Sequence, residues 1–210
     1  TLDQFKLFCD TTIILLNNAT KAEYDLVEEY GFLAVTDNRE WGKEQWRIKQ
    51  DLLDNHVSVL KPDWCLCLDM DETIHNFKRK DLEEYQTVAD SLYVYIVNLW
   101  NDGHKPTRNF WNVRLWRWTG DTKMKQQALH CGLAPEWTYF VGAYSKVLMK
   151  HYGLMKKEDR DKKIARYAKY DPTARCIDRS YYDSLADNTC TPFVEYDIIE
   201  ELNQYWQKYK

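Results

Sequence analysis

Three acidic residues follow a short apolar run in the first half of the chain. Residues 64–68 read WCLCL, and Asp69, Asp71 and Glu72 lie within the four residues that come next. Carboxylates so close together repel one another unless a cation lies among them. Hard divalent ions such as Mg²⁺ and Mn²⁺ prefer oxygen ligands and often share their coordination shell with substrate phosphates. The segment therefore predicts a metal–phosphate site, and the alternative is an ordinary acidic turn at the surface.

The segments before these acids alternate between strand and helix patterns. The predicted strands are residues 11–16, 32–35 and 64–68, and the predicted helices are 2–9, 20–30 and 40–60. Thr20 and Glu23 have the spacing of a capping box. This order predicts an α/β fold with a mostly parallel, Rossmann-like central sheet flanked by helices. Ligands of such sheets bind beyond the carboxyl ends of the strands, where the acids fall.

The second half of the chain has a less regular pattern. We predict strands at 91–99 and 110–118, and helices at 78–90, 144–150, 157–169 and 197–209. No linker-like break separates the halves. We therefore predict one domain over residues 1–210, with a helical carboxyl-terminal elaboration.

The composition limits the classes of function. The chain carries 29 Lys and Arg against 33 Asp and Glu, a formal net charge of −4, whereas nucleic-acid binding surfaces are normally basic. No run approaches the roughly 20 apolar residues of a membrane span. The six cysteines include no CxxC pair, and no signal peptide is recognised. We expect no nucleic-acid partner, no transmembrane segment, reduced thiols and a cytoplasmic location.

Residues 69–74, DMDETI, resemble the metal motifs of two enzyme families. They resemble the first motif of haloacid-dehalogenase-type phosphatases, in which Asp69 would be the nucleophile and Asp71 the general acid/base. They also resemble the DxD motif of nucleotide-sugar glycosyltransferases of the GT-A fold, in which the carboxylates hold a metal on the donor diphosphate. The phosphatase pattern needs a hydroxyl residue after the next strand and an acidic pair after a later one. Neither is present here.

The flanking segments favour the transferase. Residues 9–31 resemble the second strand and turn of family 2-like glycosyltransferases, and segments containing Arg114, His130 and His151 follow in the order seen in a branch of that family. The resemblance covers roughly residues 5–172 and implies a GT-A-like fold without the usual first strand. It implies transfer of a hexose or related sugar from a nucleoside-diphosphate donor to a carbohydrate or glycoconjugate acceptor. A non-catalytic sugar-binding or scaffold domain is the third alternative.

The same resemblance implies roles for individual residues. Asp71, Asp69 and His151 would hold Mn²⁺ or Mg²⁺, with His130 as a substitute for His151, and an imidazole ligand would favour Mn²⁺. The residues expected to bind the nucleotide sugar are Asp69, Arg47, Asn17, Asp37, Lys157, Arg160 and Lys163.

An inverting transferase also needs a carboxylate base near the acceptor hydroxyl. Glu136 is the first candidate for this catalytic role and Asp121 the second. Trp111, Trp116, Trp118 and Trp137 are candidates for an acceptor platform, and core packing is the alternative. The alternative for the basic residues 156–166 is a solvated helix face.

Overall fold

The computed structural model describes residues 2–209, except the side chains of Tyr196, Glu201, Tyr205, Trp206, Lys208 and Tyr209. The strands are β1 (Ile13–Asn17), β2 (Leu33–Asp37), β3 (Trp64–Leu66), β4 (Glu72–Ile74), β5 (Ser91–Trp100), β6 (Gly103–His104), β7 (Phe110–Arg117), β8 (Gly142–His151) and β9 (Thr191–Pro192). The helices are α1 (Leu2–Phe8), α2 (Lys21–Glu29), α3 (Trp41–Leu52), α4 (Ser58–Leu60), α5 (Leu82–Tyr85), α6 (Lys157–Tyr170), α7 (Arg179–Asp183) and α8 (Glu195–Tyr209). A π-helical turn joins α3 to α4.

The amino-terminal strand–helix–strand unit forms as predicted. β1 and β2 pair in parallel in a two-stranded sheet, and α2 connects them. Thr20 Oγ1 accepts from the Glu23 amide while the Glu23 carboxylate accepts from the Thr20 amide, which confirms the capping box. Gly31 follows α2 with a φ of +71°, a left-handed conformation that glycine adopts without strain.

The main sheet differs from the prediction. At its centre β5 pairs in parallel with β8 and antiparallel with β7. The next strands outward are both antiparallel, since β3 pairs with β7 and β4 pairs with β8. The sheet is mixed and curled into a half-barrel. The prediction of a mostly parallel, Rossmann-like sheet is therefore wrong, and so is the GT-A-like fold that the family resemblance implied.

Tertiary pairing explains the largest error in secondary structure. Residues 144–150 have the Leu, Met and Lys content of a helix, yet they belong to β8. This strand lies between β5 and β4, and Val147, Leu148 and Met149 are buried against both neighbours. Intrinsic propensity is a weak preference that such pairing overrides.

The curl of the sheet places the acidic segment across one end of it. β3 and β4 lie four strand-to-strand steps apart, which is about 19 Å in a flat sheet. Only residues 67–71 connect them, and such a segment spans about 20 Å at full extension. It is not fully extended, because the Glu72 amide donates to the Asp69 carbonyl. The curl keeps β3 and β4 within reach of this short loop.

The helices cover the sheet and its edges. Gln4 of α1 hydrogen-bonds both the Glu72 carbonyl and the Ile74 amide and so satisfies the outer edge of β4. Ile198 and Leu202 of α8 pack against Val97 and Leu148. Over residues 2–209, no helix has the length and apolar character needed to cross a bilayer.

Candidate functional site

The acidic segment opens into a cavity of about 600 Å³ at one end of the half-barrel. Strand register brings three polar residues together there, because His151 lies opposite Asn98 on β5 and opposite Glu72 on β4. Asp69 and Asp71 line the same cavity. The curled sheet therefore gathers side chains that are far apart in the sequence.

Glu72 anchors the acidic loop rather than facing a ligand. Its carboxylate makes two bonds to the Arg114 guanidinium, at 2.6 and 3.1 Å, and both side chains are at most 5% exposed. Glu72 Oε2 also accepts from the Asp69 amide at 3.1 Å. Burial alone would lower the pKa of Arg114, but Glu72 outweighs it and the pKa lies above its usual value. The pair is charged and fixes the backbone of the loop that carries Asp69.

Asp71 faces the imidazole of His151 at the end of β8. Asp71 Oδ2 lies 3.4 Å from His151 Nε2 and 3.9 Å from the ammonium of Lys163 on α6. Burial would raise the pKa of Asp71, but His151 and Lys163 outweigh burial, so the pKa lies below its usual value. The Asp71 carbonyl accepts from the Tyr152 amide at 2.8 Å, which holds the loop against the chain leaving β8.

A hydrogen-bond network sets the orientation of the His151 ring. Asn98 Nδ2 donates to the Arg108 carbonyl, so Asn98 Oδ1 is the acceptor left for His151 Nδ1, at 2.6 Å. Nδ1 therefore carries a proton, and in the neutral ring the Nε2 lone pair points toward Asp71. A lone pair and a carboxylate facing each other repel unless a proton or a metal cation lies between them. Metal-binding histidines are typically oriented in this way by a second hydrogen bond.

Gly153 leaves space beside these groups. A Cβ at this position would lie 1.9 Å from Asp71 Oδ2 and 2.8 Å from both His151 Nε2 and Lys163 Nζ. Any side chain would therefore displace groups of the site. The backbone does not explain the glycine, because Gly153 lacks the left-handed φ found at Gly120.

Replacing Gly153 by alanine tests whether this space is used. We expect Gly153→Ala to weaken metal-dependent ligand binding about tenfold or more, because the methyl group forces Asp71 and His151 apart. Gly120→Ala is the matched control, since it strains a left-handed backbone (φ +83°) with no atom within 4 Å of the added methyl. In titration calorimetry with Mn²⁺ and UDP or GDP the control should bind as wild type does, although its melting temperature is lower. If Gly153→Ala binds UDP or GDP with Mn²⁺ as wild type does, the space beside Asp71 and His151 is not part of the binding site.

Two cations of α6 complete this end of the cavity. Lys163 and Arg166 line it, and both also line an adjoining cavity of about 580 Å³ that Asp71 borders as well. Arg166 Nε is buried without a hydrogen-bond partner among residues 2–209. Burial lowers the pKa of Lys163, and Asp71 offsets part of that effect. Poorly hydrated cations at the junction of two cavities are suited to an anionic group such as a diphosphate.

Other residues predicted to bind the nucleotide sugar lie elsewhere. Arg160 is fully buried, where its guanidinium donates to two carbonyls and two asparagine side chains and stacks on Trp100. Lys157 pairs with Asp161 in solvent, and Arg47 pairs with Glu44. None of these three cations lines the cavity. Of the basic residues predicted on α6, only Lys163 reaches it.

Asn17 and Asp37 end β1 and β2, outside the cavity. Asn17 Nδ2 donates to the carbonyl of Asp37, and the Asp37 carboxylate pairs with Arg39. Both side chains therefore hold the turns of the small sheet together.

The two candidate bases are also remote from the acids. Glu136 lies 3.8 Å from Lys123 on an exposed loop, and Asp121 accepts from the Lys123 amide in that loop. Neither lines the cavity. The candidate tryptophans lie outside it as well, and Trp116 is 2% exposed in the core.

Asn98, Gly153 and Arg166 belong to the site, although the sequence pattern had not assigned them to it. Asn98 offers a signal in retrospect, because it is a lone amide in an otherwise apolar stretch of β5. A buried polar side chain in such a run needs partners, and here the partner is His151. Gly153 and Arg166 carry no such signal in the sequence, because they meet only where the structure places the end of β8 beside α6.

No family model, curated protein or solved structure matches the chain. Among the described residues, no group of three or more His, Cys, Asp and Glu side chains is arranged to hold a metal ion. The chain therefore offers Asp71 and His151 as a facing pair, with Asp69 in the same cavity.

Proposed function

We propose that the chain is a metal-dependent glycosyltransferase that moves a sugar from a nucleoside-diphosphate donor to an acceptor hydroxyl. The observation that carries this proposal is that Asp71 faces the oriented His151 imidazole, beside Lys163 and Arg166 in one cavity. An anionic ligand bound through a cation matches this mixture of one carboxylate, one imidazole and two basic side chains. The resemblance of residues 69–71 to a DxD motif supports the same class of donor. This support comes from the local motif and does not depend on the architecture of the sheet.

The donor atoms fit a divalent cation. Asp71 and His151 would hold it, and Asp69 would complete the protein's share or bind the ribose. Oxygen and imidazole ligands together favour Mn²⁺ over Mg²⁺. Because few protein ligands converge, phosphate oxygens and water would fill the remaining positions, as is usual for nucleotide-bound ions. When bound, the ion would neutralise the negative charge that develops on the departing diphosphate.

Lys163 and Arg166 would stabilise the same negative charge on the departing diphosphate. Lys163 is held near Asp71 and lies between the two cavities, so its ammonium binds a phosphate oxygen without reorganisation. Arg166 has an unpaired buried Nε with which to donate a second bond. Fixed donors aimed at developing charge stabilise a transition state more than a ground state.

A carbohydrate or glycoconjugate acceptor would contact aromatic side chains of the cavity. Trp41 and Phe110 line it, and Phe110 is 42% exposed. Aromatic rings of this kind stack on the C–H faces of sugars.

The phosphatase alternative gains no support from the site. The strand before Asp69 is flanked by an antiparallel neighbour, β7, and among the described residues no Ser or Thr lines the cavity. A nucleophilic-aspartate mechanism would have no hydroxyl group there to hold the phosphoryl oxygens. The scaffold alternative predicts no response to nucleotide or metal and is tested by the same experiment.

Thermal denaturation with metal and nucleotide tests the proposal. At a hundred times the dissociation constant, a ligand stabilises the folded state by about 2.7 kcal/mol, so we expect Mn²⁺ with UDP or GDP to raise the melting temperature by about 5–10 °C. Neither Mn²⁺ alone nor nucleotide with EDTA should do so. Hydrolysis of p-nitrophenyl phosphate with Mg²⁺ would favour the phosphatase instead. A melting temperature that no nucleotide changes would contradict the transferase.

A further inference from the structure

A histidine at the aromatic end of the cavity has a buried nitrogen without a partner. His130 lines the cavity, and its Nε2 is buried with no hydrogen-bond partner in residues 2–209. The ring packs against Tyr167 at 5.0 Å and Tyr181 at 6.0 Å between centroids. Leaving a buried polar atom unpaired is unfavourable. A ligand in the cavity that pairs with Nε2 would remove this cost.

The backbone at His130 is also held in an unusual conformation. Its φ is +57°, in the left-handed region that few residues with a side chain occupy. Such conformations persist where the surroundings impose them, and they concentrate at binding sites. The turn continues into Gly132 (φ +84°), so the whole segment turns the imidazole toward Tyr167 and Tyr181.

The surroundings of His130 select a neutral polar ligand. Burial, assisted by Arg166 and Lys163, lowers the pKa of His130 to about 4, so the ring is neutral near pH 7. A neutral imidazole bonds a hydroxyl in either direction and offers no charge to a phosphate. The tyrosine rings beside it provide apolar surface for C–H groups. A sugar combines these two features.

The positions of Lys163 and Arg166 indicate which sugar the His130 ring contacts. Lys163 and Arg166, assigned above to the diphosphate, line the same cavity as His130. In a nucleoside-diphosphate sugar, the transferred sugar is the group bonded directly to the second phosphate. We propose, on the basis of the proposed function, that His130 Nε2 hydrogen-bonds a hydroxyl of the donor's sugar and so distinguishes the nucleotide sugar from the free nucleotide.

Titration calorimetry with Mn²⁺ tests this assignment on wild type, His130→Asn and His56→Asn. The probes are UDP, GDP, UDP-glucose and GDP-mannose. Asparagine tolerates the left-handed backbone, and the exposed His56 is a matched control. We expect His130→Asn to bind the nucleotide sugar about five- to tenfold more weakly and the free nucleotide as wild type does. If His130→Asn does not fold, His130→Gly is used in its place, because glycine also adopts this backbone conformation.

Three other results would overturn the assignment. If His130→Asn binds the nucleotide and the nucleotide sugar more weakly by the same factor, His130 contacts the diphosphate or has only a structural role. Unchanged nucleotide-sugar affinity in His130→Asn would show that Nε2 does not bond the donor's sugar. Wild type that binds no nucleotide with Mn²⁺ would remove the proposed function and this inference together, whereas the first two results leave the proposed function intact.

Discussion

Asp71→Asn is expected to lower the affinity for nucleotide in the presence of Mn²⁺ by at least about a hundredfold. Asp71 is ionised near neutral pH, because His151 and Lys163 hold its pKa below the usual value against the effect of burial. The amide has nearly the same shape but no charge, so the cation would lose the carboxylate that faces His151. Calorimetry with Mn²⁺ and UDP or GDP measures the difference.

The control for this variant is Asp25→Asn. Asp25 forms an exposed ion pair with Lys21 on α2, and its charge change matches that of Asp71→Asn. It should bind metal and nucleotide as wild type does. Asp71→Asn should also melt close to wild type, since the side chain is 39% exposed. Retention of metal-dependent binding in Asp71→Asn would remove the basis of the transferase proposal.

The parts of the fold that were predictable carry their information locally. The capping box of Thr20 and Glu23 specifies where α2 begins, and Gly31 specifies where it ends. The predicted strands at 91–99 and 110–118 and the predicted helices at 157–169 and 197–209 also form in the structure. In each case the determining residues lie within one element.

Strand direction was not predictable in the same way. An apolar run such as residues 64–68 indicates burial but carries no information about the direction of the neighbouring strand. β3 pairs with β7, about 50 residues later in the chain, and this pairing makes it antiparallel. The composition of residues 144–150 favours a helix. They form the strand β8 because β5 and β4 supply hydrogen bonds on both sides.

The site also combines residues whose location is predictable from neighbouring sequence with residues that only tertiary packing places. Asp69 and Asp71 follow an apolar run, so their shared location was predictable from adjacent residues. Lys163 and Arg160 lie three residues apart on α6, and residue type does not indicate which one faces the cavity. The packing of α6 decides it, burying Arg160 against Trp100 and directing Lys163 toward Asp71.

Arg114→Met is expected to reduce the free energy of unfolding by about 3–5 kcal/mol. The substitution leaves the Glu72 carboxylate buried at 3% exposure without its cation. Arg117→Met is the matched control on the same strand, because Arg117 pairs with Asp90 at the surface and such pairs contribute at most about 1 kcal/mol. Urea denaturation compares the two variants.

The double variant Arg114→Met with Glu72→Met separates stability from loop positioning. Apolar side chains of similar volume often replace a buried ion pair without net loss, so most of the stability should return. Nucleotide binding should stay weak, because the Asp69 amide loses the Glu72 oxygen that holds the acidic loop in place. If the double variant bound nucleotide as wild type does, Glu72 would have no part in positioning Asp69. If Arg114→Met were as stable as Arg117→Met, the pair would not be buried as a charged unit.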